Sequence, residues 1–75
     1  MKINIKEFKY AAGDLSWSFI DEIVSFEYED PKSKLKNTVT GRLAFLIRNE
    51  EFVRLGFDTG PAFDLKIDQE VTVIM

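Results

Sequence analysis

Thr38-Val39-Thr40-Gly41-Arg42-Leu43-Ala44-Phe45-Leu46-Ile47-Arg48 decides the fold. Val39, Gly41, Leu43, Phe45 and Ile47 alternate with Thr38, Thr40, Arg42, Ala44, Leu46 and Arg48. A period of two over this length predicts one long strand. The central Gly41 removes a side chain where a strand bends sharply or another backbone comes close.

Working outward, Arg48-Asn49-Glu50-Glu51 reads as a turn. Val53, Leu55 and Phe57 then alternate through a strand over Phe52 to Phe57. Asp58-Thr59-Gly60-Pro61 is a strong turn signal. Phe63, Leu65 and Ile67 alternate with Asp64 and Asp68 nearby, as an irregular or strand-like segment with outward charges. Glu70 to Met75 is almost entirely β-branched and closes the chain as a strand. Towards the N-terminus, Asp30-Pro31 ends a strand expected over Ile23 to Glu29, because proline cannot join a ladder. Ser18, followed by Asp21 and Glu22, resembles a capping box, so a short helix is expected from about Trp17 to Glu22. Ile3 and Ile5 alternate with Lys2, Asn4 and Lys6, predicting a half-buried strand over Lys2 to Phe8. This amounts to about five short strands and one short helix in a single domain, residues 1–75.

Composition narrows the function. The chain is 45% hydrophobic and 31% charged, a globular balance. It contains no Cys and no His, so disulfides, thiolate nucleophiles, imidazole bases and most transition-metal sites are out of reach. No cofactor is expected. The alternating N-terminus lacks the apolar run of a signal peptide, and no stretch is long enough to span a bilayer. A cytoplasmic, non-membrane protein is the expectation. A domain this small buries only about 60% of its unfolded surface, and such domains often gain stability by associating. Seven Phe, two Tyr and one Trp are ample for both a core and an interface, so a homo-oligomer is expected. The net charge of −3 argues against a general phosphate-backbone binder.

Four patterns suggest chemistry. Phe57-Asp58-Thr59-Gly60 resembles the active-site signature of retropepsin-like aspartic proteases, in which two subunits pair their Asp residues. Pro61 departs from that signature, and too little chain follows for the flap such enzymes need; a plain turn is the simpler reading. Asp58, Asp64 and Asp68 lack the spacing of a calcium loop. Lys32, Lys34 and Lys36 form a basic cluster, read first as a solvated loop beside Glu27, Glu29 and Asp30 and second as phosphate contacts. Trp17, Phe19 and Tyr28 could stack on bases, although buried or interface aromatics are the commoner case. No enzyme is expected from this inventory.

The chain resembles the Sm-like (LSm/Hfq-type) small barrels. Val39-Thr40-Gly41-Arg42-Leu43-Ala44-Phe45 is similar to the first Sm motif, Phe52-Val53-Arg54-Leu55-Gly56-Phe57-Asp58 to the strand after it, and Leu65 to Ile74 to the second motif. The resemblance implies a mainly β, strongly bent five-stranded Sm-like or SH3-like barrel with one short N-terminal helix. It also implies a cyclic homo-oligomer of about five to seven subunits, in which the last two strands of neighbouring copies pair edge to edge. RNA association follows from the family, with Arg48, Asn49 and Lys66 as the nucleic-acid-binding residues on this chain. Here the family's acidic and amide pair around the first turn is reduced to Asn49, and its Arg-Gly is replaced by Ile67-Asp68. The strand over Lys2 to Phe8 and the Lys-rich loop lie outside the family pattern. A fainter likeness, from Gly41 to Met75, is to the opening domain of phage baseplate hub proteins. It implies the alternative function: a phage-derived structural or protein-interaction module that binds a protein partner through a sheet edge.

Overall fold

A computed structural model describes residues 5–75. The chain forms six antiparallel strands: β1 (Glu7–Ala11), β2 (Ile23–Glu29), β3 (Lys36–Arg48), β4 (Phe52–Phe57), β5 (Ala62–Lys66) and β6 (Glu70–Ile74). Their order across the sheet is β1-β6-β2-β3-β4-β5.

β3 runs through the whole architecture. Its first half pairs with β2 in the register Ile23↔Arg42 to Glu29↔Lys36. Its second half pairs with β4 from Leu43↔Phe57 to Arg48↔Val53. The register shifts between Leu43 and Phe45, a bulge at Ala44. One extra residue inverts the faces of everything beyond it. Leu43 and Leu46 are therefore both buried, whereas Phe45 and Ile47 emerge on the outer face, 40% and 51% exposed. The unbroken alternation read from the sequence is corrected here: Phe45 and Ile47 do not share the face of Leu43. Gly41 lies against the Phe57 ring, where a Cβ would stand 3.1 Å from ring carbons.

The inner faces supply one core. Val24 and Phe26 of β2, Leu43 and Leu46 of β3, Val53, Leu55 and Phe57 of β4, Leu65 of β5, and Val71 and Val73 of β6 are all buried. Ala12 and Leu15 cap it from the segment after β1. Phe63 of β5 packs edge-on against Phe26 and Tyr28 of β2, with centroids 5.7 and 4.9 Å apart. This contact brings the last strand of the sheet over β2.

Three sequence expectations change. Among the described residues there are six strands, not five, because Ala62–Lys66 pairs with β4 along its whole length. The six-residue helix over Trp17 to Glu22 is a single 3₁₀ turn, Trp17–Phe19, capped by the Ser16 hydroxyl, which accepts from the Ser18 N–H at 3.2 Å. So short a helix gains too few internal bonds to persist. Asp21 instead takes a left-handed φ of 75°, and its N–H donates to the Leu43 carbonyl at 2.7 Å. Finally, the first strand starts at Glu7 and runs to Ala11; positions 2–4 of the expected Lys2 to Phe8 strand lie outside the described residues.

Candidate functional site

The residues singled out for RNA contact do not converge. Arg48 ends β3, and its Nη1 donates to the Gly13 carbonyl at 2.6 Å, tying the chain after β1 to the end of the sheet. Asn49 opens the β3–β4 turn, where its Oδ1 accepts from the N–H groups of Glu51 and Phe52 at 2.7 and 2.8 Å. That is an Asx-type turn, a structural use of the amide. Lys66 pairs across from Phe52, whereas Arg48 pairs across from Val53. Adjacent ladder positions face opposite sides, so Lys66 and Arg48 lie on opposite faces. The turn role of Asn49 is local and agrees with the turn read over Arg48 to Glu51, whereas the bond from Arg48 to Gly13 spans 35 residues and is legible only in space.

The other sequence patterns resolve into local structure. Asp58 and Gly60 form the β4–β5 turn, in which the Gly60 N–H donates to the Phe57 carbonyl at 3.0 Å and Gly60 takes φ 112°. Lys32 and Lys34 lie at the exposed tip of the β2–β3 hairpin, where Asp30 Oδ1 accepts from the Lys32 N–H at 2.9 Å, and the exposed Lys36 opens β3 opposite Glu29. Of the aromatics considered for stacking, Phe19 packs on Tyr10 and Tyr28 on Phe63. Trp17 is 75% exposed and lines a shallow apolar groove of ≈ 220 Å³ with Ile20, Ala44, Phe45 and Leu46. Among the described residues, no three acidic side chains gather in a potential ion site.

The feature that the sequence reading placed least well is the pair of sheet edges. Among the described residues, no strand pairs with the outer side of β1 or with the outer side of β5. The inner side of β1 is fully used: Glu7↔Ile74 through Ala11↔Glu70 lays it along β6. This corrects the pairing that the Sm-like resemblance implies. The edge of β6 that a neighbour would need is occupied by the chain's own β1.

The β5 edge borders an open groove of ≈ 820 Å³. Phe26 and Tyr28 of β2 line it, as do Asp64 and Lys66 of β5 and Lys9 of β1. β2 pairs with β6 only through Ile23, Val24 and Ser25, so its distal half borders this space without a strand beside it among the described residues. The Gln69 side-chain amide donates to the Glu27 carbonyl across one end.

Charges alternate along both edges. On β1, Glu7 and Lys9 share the outer face with Ile74 and Thr72 of β6, and Lys9 Nζ stands 3.4 Å from Glu70. On β5, Asp64 and Lys66 share the outer face with Arg54 and Phe52 of β4. Arg54 grips Asp64 with two parallel bonds, Nε to Oδ1 at 2.6 Å and Nη2 to Oδ2 at 3.0 Å. This hydrogen bond holds the Asp64 carboxyl below its ordinary value against the opposing effect of desolvation, with the charge of Arg54 as a lesser aid, and it raises the Arg54 guanidinium in turn. Arg54 also lies over the Phe52 ring at 5.5 Å. Edge charges of this kind blunt an exposed edge against indiscriminate strand addition.

No family model, curated protein or solved structure matches the chain.

Proposed function

We propose that the protein is a non-enzymatic, self-assembling β module that forms a homo-oligomer by strand pairing between copies. The observation that carries this reading is the pair of outer edges, β1 and β5, on one small sheet, which pair with no strand among the described residues. A free edge presents a row of backbone donors and acceptors that a second strand satisfies. Because the two edges differ, a contact between them is heterologous, and successive contacts close into a ring when the rotation per copy allows it. A cyclic assembly of about five to seven copies is the form proposed. A long β3 that turns from β2 to β4 around Gly41 and the Ala44 bulge supports a strongly bent, Sm-like small barrel as its unit. RNA contact at Arg48, Asn49 and Lys66 is not carried forward, since two of these side chains serve the fold and the third faces away from Arg48.

Light scattering coupled to size exclusion tests the proposal. A mass of several protomers that persists on dilution is expected; a monomer at every concentration overturns it.

A second reading is a module that engages a different protein, and the exposed Trp17, which lines a groove with Ile20 and the exposed Phe45, favours it. Exposed aromatic and aliphatic side chains that adjoin on one surface mark protein contacts more often than they mark bare solvent. A mixed-partner assembly purified from the native source, with no self-association of the isolated chain, would select this reading.

A further inference from the structure

The two free edges match each other residue by residue. Both strands contain five residues, Glu7–Ala11 and Ala62–Lys66. Set antiparallel in full overlap, Glu7 falls opposite Lys66, Phe8 opposite Leu65, Lys9 opposite Asp64, Tyr10 opposite Phe63, and Ala11 opposite Ala62. Acid meets base twice, apolar meets apolar or aromatic twice, and small meets small once. Opposite charges across a strand pair stabilise it, and like charges destabilise it.

The faces agree as well. Glu7 and Lys9 lie on the outer face with Ile74 and Thr72, and Asp64 and Lys66 lie on the outer face with Arg54 and Phe52. Phe8 and Tyr10 lie opposite Val73 and Val71, which are buried on the inner face. Phe63 and Leu65 lie on the inner face opposite Leu55 and Val53. Phe8, 38% exposed in the single copy, would gain an apolar neighbour in Leu65. Tyr10 would come down beside Phe63, at the aromatic floor that Phe26 and Tyr28 give the groove.

Other pairings fit less well. A parallel alignment of the two strands sets Glu7 against Ala62 and Lys9 against Asp64, or, shifted by two, acid against acid and base against base. β1 against β1 can pair Glu7 with Lys9, yet it leaves the β5 edge open and sets Lys6 against Tyr10.

We infer that the outer edge of β1 in one copy adds antiparallel to the outer edge of β5 in the next, in the register Glu7↔Lys66 and Lys9↔Asp64, and that the partner is a second copy of this chain. This rests on the self-assembly reading above and specifies its contact. Asp64 keeps its grip on Arg54 in the assembly, since a carboxylate has lone pairs to spare for a second cation. Lys9 then lies between its own Glu70 and the neighbour's Asp64.

The chain has no cysteine, so cross-linking gives a clean readout. Lys9→Cys and Asp64→Cys are prepared as separate proteins, mixed and oxidised. A covalent heterodimer between the two variants is expected, since opposed residues in a ladder fall within disulfide reach. Light scattering of the unmodified chain runs alongside. A multimeric mass without the 9–64 cross-link, or with homodimers of Lys9→Cys alone, overturns this register and leaves self-assembly standing. A monomeric mass overturns both. A charge exchange gives the second measurement. Glu7→Lys should weaken assembly about threefold to fivefold per contact, and the double variant Glu7→Lys/Lys66→Glu should recover it. Equal weakening in single and double variants counts against the register.

Discussion

The Phe45 ring lies across Gly56, its ladder partner on β4, and occupies the space where a Gly56 Cβ would stand. The glycine is needed there for room, since its φ is not in the left-handed region. Aromatic cover over a strand glycine replaces the packing that the missing side chain forfeits.

Gly56→Ala should therefore destabilise the wild-type chain by about 1 kcal/mol, as the ring is driven off the sheet. In a Phe45→Ala background the same change should be neutral or stabilising, because alanine lowers the entropy of the unfolded chain. Urea melts of the four proteins give the coupling directly. Equal effects of Gly56→Ala in both backgrounds would show that the ring is not what requires glycine.

Deleting Ala44 should leave every side chain of β3 on its present face, because Leu43, Phe45 and Leu46 then pair in turn with Phe57, Gly56 and Leu55. What the deletion removes is the local bend and added twist of the bulge. A loss of about 1–3 kcal/mol in urea melts is expected, with Leu46 still buried; exposure of Leu46 in the deletion variant would show that the bulge sets the faces in another way. Ala44→Ser, which keeps the residue count on an exposed position, should stay within about 0.5 kcal/mol.

This bulge also shows what the sequence displays and what it conceals. β2, the span of β4 and the closing β6 are legible because alternation and turn residues bracket them: Asp30-Pro31 after β2, Asp58 to Pro61 after β4. β5 is half legible: Phe63 and Leu65 alternate with Asp64 and Lys66 as in a strand, but the segment is short and follows Pro61, and its pairing with β4 is what decides between strand and irregular chain. Nothing in Leu43-Ala44-Phe45-Leu46 announces the inserted residue, since all four are apolar and either face would accept them. The edge site is concealed for a related reason. β1 and β5 are distant in sequence, and which strands end up outermost is a property of the topology. Asn49 sits in a turn that the sequence shows, while Arg48 looks free in sequence and is taken up by the Gly13 carbonyl in space.

The fork between Arg54 and Asp64 predicts a pH dependence. Asp64 in the folded chain titrates below its ordinary value of 3.8, so its contribution is complete above that pH and is lost as pH falls through the lower folded value. Thermal melts of the wild type and of Asp64→Asn should differ by a small constant amount near neutrality and converge at the acid end. Both groups are exposed, so the difference should shrink in high salt. A gap that stays constant down to pH 2 would rule out this ion pair as its source.

Gly60 gives a prediction of pure backbone origin. Its φ of 112° is costly for any L side chain, and a Cβ there would meet nothing within 4 Å. Gly60→Ala should cost about 1–2 kcal/mol with no change in packing. Chemical shifts altered only in the β4–β5 turn, together with the lowered melting point, would agree with that origin; shifts spreading into the Phe57 and Phe63 cluster would contradict it.

Because β3 alone belongs to both ladders, neither half of the molecule has a complete set of strands without it. Breaking β3 away from β2 or from β4 strips the core of one wall, so the two halves should lose their structure together rather than in turn. The amides of β3 around Leu43 and Leu46 should then exchange with solvent only through global opening, while those of the hairpin tip exchange through local fraying. One strand thus makes the chain a single cooperative unit, and its slowest protons would report the stability of the whole.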